Sequence, residues 1–198
     1  MKDKGYEEGE NLKLDVQNAQ NQQGTANTIA ANFVSNKVDM ILAISTPSAQ
    51  ATYNKTNKIP ILITAVTDPV GAGLAKSMDS SGNNVTGTSD NVPIDKQFDL
   101  LKQLIPDAKK VGVKYNTAEK NSQVQVDVAT SGIDYYQLGY ETGLKAVEII
   151  NGKEPKDLPI TLLEEMELII NTDAVKKLNI TVPSDILEKA DTVTGGVK

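Results

Sequence analysis

Small polar clusters stand at the ends of apolar runs in this chain, and their side chains suit gripping better than reacting. Ser45-Thr46-Pro47-Ser48 follows the run 40–44, Thr67-Asp68-Pro69 follows 61–66, and Thr88-Ser89-Asp90 closes 84–90. Hydroxyls and backbone N–H groups at a helix start receive anions, helped by the helix dipole. A carboxylate at a strand end accepts from an ammonium group. In an open α/β sheet, ligands sit beyond the carboxyl ends of the strands. A chain with polar side chains at several such ends is built to hold a small molecule.

Each cluster also has a plain structural reading. Ser45 and Thr46 form an N-cap, which any helix favours, and spacing alone prefers that reading. Asp68 either accepts an ammonium group or braces its own turn. Ser89 and Asp90 face the same crevice or stabilise a chain crossing through turn hydrogen bonds, and Thr88 fits the crossing better. Tyr115, Asn116, Glu119, Asn121 and Ser122 surround the start of another helical segment, where Asn116 and Glu119 have capping-box spacing. Tyr135, Tyr136 and Tyr140 could stack on a ligand, but a helix face packed on the core is the preferred reading.

Composition removes most other chemistry. The chain has no His and no Cys, so imidazole bases, thiolate nucleophiles, Cys/His zinc sites and iron–sulfur ligation are all missing. No cofactor and no metal are expected. A formal charge of −6 and the lack of any Arg argue against nucleic acid as a partner. No GxSxG, Walker or GxGxxG pattern occurs. Gly71-Ala72-Gly73 reads as a turn, and Glu7-Glu8 and Glu164-Glu165 read as solvated faces rather than an acid/base pair. No apolar run approaches the roughly 20 residues that span a bilayer, and the first dozen residues do not form a signal peptide.

The elements that position the clusters alternate between strand and helix. Residues 12–16 alternate apolar and polar as a strand, before a polar Asn/Gln loop at 17–23. Residues 25–36 place Ile29, Ala30, Phe33 and Val34 at helical spacing. Pro47 can start a helix and Pro60 can open a strand. Pro93 starts a helix with Phe98, Leu101, Leu104 and Ile105 on one face, stopped by Pro106. A strand at 111–115, a helix to about 127, a helix at 136–150 closed by Asn151-Gly152, and a strand at 166–170 follow. Two short helices complete the chain, the second opened by Pro183-Ser184-Asp185. This rhythm predicts parallel α/β layers. Near 127–131 a helical segment passes into a strand-like run almost without a loop, whereas parallel neighbours need a crossover of a dozen or more residues.

The segments LAISTPSAQA (42–51), ILITAVTDPVGAGL (61–74), NVTGTSD (84–90), KKVGVKYNTAEKNSQVQVD (109–127) and GIDYYQLGYETG (132–143) carry a resemblance over nearly the whole chain. It resembles bacterial ABC-transporter substrate-binding proteins of the type that includes tryptophan and aromatic amino-acid binders. The resemblance implies two Rossmann-like lobes of parallel sheet flanked by helices, periplasmic-binding-protein-like and of type I. It further implies a ligand held between the lobes, an ABC permease as partner, and a cell-surface lipoprotein, or a periplasmic protein, that meets the membrane only through a lipid anchor. On this basis 1–90 is lobe one without its first strand. Residues 91–134 are an incomplete lobe two, lacking βα units near 127–129, and 135–198 carry hinge-crossing and C-terminal segments. Ligand binding then falls to Ser45, Thr46, Asp68, Ser89, Asp90, Tyr115, Asn116, Glu119, Asn121 and Ser122. A lobe that has lost covers from its apolar faces is expected to bind weakly and to be marginally stable. Two rival readings are the effector-sensing core of a repressor and a flavodoxin-like enzyme using Asp68 or Asp90.

Overall fold

The computed structural model describes residues 1–91, 94–110, 131–132, 134–163, 167–177 and 180–193. The chain divides into two units, Met1–Asn91 with Tyr135–Leu163 and Val92–Asp134 with Glu164–Lys198. The first unit is an α/β layer structure. Its helix α1 (Gln23–Ser35) leads to strand β1 (Ile41–Ile44), helix α2 (Thr46–Tyr53), strand β2 (Ile61–Thr64) and strand β3 (Val85–Ser89). The chain returns through the long helix α4 (Tyr135–Ile150) and ends this unit with the two-residue strand β5 (Thr161–Leu162).

The four strands run β1-β2-β3-β5, all parallel. Helices α1 and α2 pack together, α2 lies on β1 and β2, and α4 lies on β2 and β3. The core joins Ala43, Ile61, Ile63 and Val85 of the sheet to Ala49 of α2, with Val66, Leu74 and Ile160. β2 is buried at every residue, as a strand covered on both faces must be. A continuous apolar run of that length, opened by Pro60, is the sequence pattern of such a strand.

On the α4 side the layers are joined by hydroxyls. Thr88 Oγ1 donates to Thr64 Oγ1 at 3.2 Å and lies 2.8 Å from Thr142 Oγ1 of α4. Thr86 Oγ1 donates to the Leu158 carbonyl at 3.0 Å, and the buried Lys145 donates to the Pro159 carbonyl at 2.7 Å. These bonds tie the returning segment to β3 and satisfy groups that would otherwise be costly to bury.

The second unit contains α3 (Ile94–Leu104) and a sheet in the order β4 (Ser131–Gly132), β6 (Glu167–Asn171), β7 (Asp191–Val193). β6 and β7 are parallel, whereas β4 is antiparallel to β6. Helices α5 (Thr172–Lys177) and α6 (Ser184–Leu187) complete it. The antiparallel β4 departs from the all-parallel expectation.

Two further expectations are corrected. Residues 12–16 form no strand, and only Leu12 makes an isolated bridge, to Glu8. A strand needs a neighbour's ladder, and β1 ends the sheet with Leu42 and Ile44 exposed. The tyrosines of α4 do not pack on the core: Tyr135 is 61% and Tyr136 80% exposed. Leu138, Thr142, Lys145 and Ala146 form the buried stripe instead, at the i, i+4, i+7 spacing of one helix face.

Gly87, at φ 147°, lets β3 press against β2, because a Cβ there would stand 2.0 Å from the Ile63 carbonyl oxygen. Gly139 in α4 has open space where its Cβ would be. Gly87→Ala is therefore expected to cost roughly 2–4 kcal/mol, and Gly139→Ala to add roughly 0.5–1 kcal/mol. Urea midpoints of the two variants measure both.

Candidate functional site

The register of the parallel ladder sets the site. Ile44 pairs with Thr64 and Ile63 with Gly87, so β1, β2 and β3 end at one edge of the sheet. Adjacent strands lie about 4.8 Å apart, so the ends of β1 and β3 are separated by about 10 Å. The Ser45 and Thr46 pair, the 65–68 segment, and the Ser89 and Asp90 pair all stand along this edge.

The backbone at the edge is held in uncommon conformations. Ser45 has φ 78° and ψ 156°, a region that glycine occupies almost alone, and Ala65 after β2 has φ 52°. Ser45 is held there by its N–H donating to the Thr64 carbonyl at 3.0 Å and its carbonyl accepting from Ala49 at 3.0 Å. It occupies the N-cap position of α2, but its side chain makes no cap bond. The cap expected from spacing is thus present in place and lacking in chemistry.

On the residues that follow Ser45 and Ser89 at this edge, two buried oxygens have no partner among the described residues. Thr46 Oγ1 is one, on a residue only 3% exposed at the first position of α2. Asp90 Oδ1 is the other, on a residue 7% exposed. Native proteins rarely leave such atoms unsatisfied, because each costs about 1–3 kcal/mol. Burial pushes the Asp90 carboxyl above the usual aspartate range, while the Thr67 side chain, its own backbone N–H and the Tyr135 hydroxyl pull the other way. Tyr135 donates to Asp90 Oδ2 at 3.5 Å.

The other expected residues are committed elsewhere or lie out of view. Asp68 Oδ1 accepts from the Gly71 N–H at 2.8 Å, bracing the turn. That turn is tied to α2 by Gln50, which donates to the Ala72 carbonyl at 2.9 Å. Ser89 Oγ donates to the Thr67 carbonyl at 3.0 Å and accepts from the Asn91 N–H at 3.2 Å. Thr88 is bonded into the sheet and α4. Tyr115, Asn116, Glu119, Asn121 and Ser122 lie outside the described residues. Ala65 and the Tyr135 contact were missed by sequence reasoning. Nothing in the sequence marks an alanine for positive φ, and the tyrosine's proximity to Asp90 depends on how α4 returns to the sheet.

A family model of ABC transporter substrate binding proteins matches residues 1–131 and 127–194. The "Tyrosine-binding protein" of Clostridioides difficile (strain R20291) is 40% identical over 256 residues, covering 91% of this chain and 74% of that protein. The aligned 256 residues exceed the 198 of this chain, so that relative carries intervening sequence with no counterpart here. Among solved structures, a conserved domain protein from Vibrio cholerae superposes with a TM-score of 0.91 at 30% identity, over 98% of this chain and 91% of that one. An ABC domain from Streptococcus pneumoniae in complex with L-Trp gives 0.90 at 25% identity, over 97% and 90%. The ligand-free, open form of a substrate-binding protein with adhesive properties from Clostridium difficile gives 0.82 at 36% identity, over 98% and 91%.

The orphaned oxygens predict an unusual stability signature. For a carboxyl whose folded pKa is raised, the folded state holds the proton more tightly, so ionisation costs stability above the ordinary aspartate pKa. Asp90→Asn should raise the melting temperature of the ligand-free protein at pH 7, with the gain shrinking as pH falls through the raised pKa toward the ordinary range. Thr46→Val should raise ligand-free stability by about 1 kcal/mol. Thermal and urea melts across pH check both.

Proposed function

The chain belongs to the ABC transporter substrate-binding proteins, and from that premise we propose that it captures an aromatic amino acid at the carboxyl edge of the first unit's sheet. The observation that carries the reading is the pair of buried, unpartnered oxygens at that edge, Thr46 Oγ1 and Asp90 Oδ1. A desolvated carboxylate beside neutral donors is suited to an ammonium group, with which it forms a charge-assisted hydrogen bond. The Thr46 hydroxyl, at the start of α2, is suited to the ligand's carboxylate, aided by the helix dipole. Among the described residues no group of His, Cys, Asp and Glu could hold a metal ion.

The aromatic class of ligand is supported by the tyrosine-binding relative and by the L-Trp complex of the Streptococcus protein. The repressor-core and enzyme readings find no such support. As a member of this family the protein delivers a small molecule to a transporter. We further infer that it works outside the cytoplasmic membrane, attached by a lipid, and that the break in the family match at 127–131 marks where lobe-two sequence is shortened. Ser45, Asp68 and Ser89 then act by shaping the edge, while Tyr115, Asn116, Glu119, Asn121 and Ser122 are proposed as further ligand-binding residues.

Calorimetric titration of the chain against the twenty amino acids tests the reading. Heat from one or more of tyrosine, tryptophan and phenylalanine is expected, and Asp90→Asn should weaken that binding at least tenfold, since a hydrogen bond to a charged group contributes roughly 1.5–3 kcal/mol. Silence across the panel would overturn the amino-acid assignment.

A further inference from the structure

Tyr135 has an arrangement that packing does not explain. It opens α4, and its side chain lies off the buried stripe of Leu138, Thr142, Lys145 and Ala146. An aromatic ring left 61% exposed gains little from burial. Its hydroxyl nevertheless reaches Asp90 Oδ2 at 3.5 Å, across 45 residues of sequence. The other oxygen of the same carboxylate is buried and unpartnered among the described residues.

A carboxylate has several lone-pair directions, and donors on one oxygen fix where the other points. On Asp90 the donor to Oδ2 is Tyr135. The Thr67 side chain, in the segment after β2, also favours the ionised carboxyl, and the Ser89 hydroxyl anchors that segment through the Thr67 carbonyl. Tyr135 approaches from α4. We propose that Tyr135 is a positioning residue for ligand capture: its hydroxyl orients Asp90 so that Oδ1 is presented to the ligand's ammonium group, and its exposed ring flanks the ligand's side chain. This rests on the reading of Asp90 as the ammonium acceptor.

The groups acting on Asp90 permit a signature that a packing role lacks. The groups that favour its ionised form are all neutral: the Thr67 side chain, its own N–H and the Tyr135 hydroxyl. Asp68 is engaged by the Gly71 N–H. Lys145, the buried cation of α4, lies ten residues beyond Tyr135, about 15 Å along the helix, and donates to Pro159 instead. Tyr135 favours the ionised carboxylate, so its loss moves the Asp90 titration to higher pH. Binding of an ammonium group requires the ionised form and falls as pH drops through that midpoint.

The test uses the full chain with Tyr135→Phe, which keeps the ring, and Tyr135→Ala, which removes it. L-tyrosine, L-tryptophan and L-phenylalanine are titrated separately between about pH 4 and 8. Tyr135→Phe is expected to weaken binding about threefold to tenfold at pH 7 and to shift the pH of half-lost binding upward. Tyr135→Ala should weaken it further for the same ligands. A weakened affinity with an unmoved pH profile, or an unchanged affinity, overturns the proposal. The Asp90 carboxyl is also titrated by NMR in the ligand-free chain, wild type and Tyr135→Phe. If no amino acid binds the wild type, the reading of the site fails on its own. An upward shift of the Asp90 midpoint would then uphold the orienting contact, and an unshifted one would overturn that too.

Discussion

The constraint on which the rest depends is the parallel register of β1, β2 and β3. Because Ile44 meets Thr64 and Ile63 meets Gly87, three chain segments leave the sheet at the same edge. Each then meets a connection that cannot relax freely: α2 starts at once after Ser45, the 68–75 turn is pinned by Asp68 and Gln50, and β3 leads into Asp90 beneath α4. A one-residue slip in β3 would exchange the faces of Thr88 and Ser89 and break the hydroxyl chain to Thr142. The glycine at 87 belongs to the same constraint, since it is where β3 comes closest to β2. The site is a product of sheet geometry, and its side chains inherit their places from the ladder.

What distinguishes the edge from an ordinary sheet end is that it stays incomplete. Protein interiors satisfy their polar atoms, and this unit does so carefully elsewhere: Asn83 bonds Leu74 and the Tyr53 hydroxyl, and Thr86 bonds Leu158. Thr46 Oγ1 and Asp90 Oδ1 are exceptions, placed after the ends of β1 and β3 on either side of β2. The unusual backbone at Ser45 and Ala65 falls in the same few residues. Strain and unsatisfied polarity concentrated at one edge are what a binding protein retains at the expense of stability. Asn84 Oδ1, at the start of β3 and away from this edge, also lacks a partner among the described residues, as does Thr161 Oγ1 of β5, whose residue pairs with Thr88 at the same end of the sheet.

Much of this was legible in the residues. The strands at 41–44 and 61–64 show as apolar runs closed by Ser-Thr-Pro and Thr-Asp-Pro, though only the second is buried throughout, since β1 leaves Leu42 and Ile44 exposed, and Pro47 marks the start of α2, where its missing N–H costs nothing. The α4 helix shows in its periodicity, but its buried stripe falls at 138, 142, 145 and 146, not at the tyrosines, because facing depends on where the helix lands. Pairing was not legible for residues 12–16, whose alternation is real but which gain no neighbour. Two-residue strands such as β5 exist only by virtue of β3 beside them. Thr46 and Asp90 could be named as candidates from type and place. That each would be left with an unpaired oxygen follows from three-dimensional packing, and no local pattern encodes it.

The claim that Thr46 and Asp90 together grip an amino acid is tested most directly by a crystal structure of the chain grown with L-tyrosine or L-tryptophan. The account predicts the ligand's ammonium group within hydrogen-bond distance of Asp90 Oδ1 and its carboxylate on Thr46 Oγ1. A ligand bound elsewhere, or one seated at the edge with both oxygens still unpartnered, would contradict it.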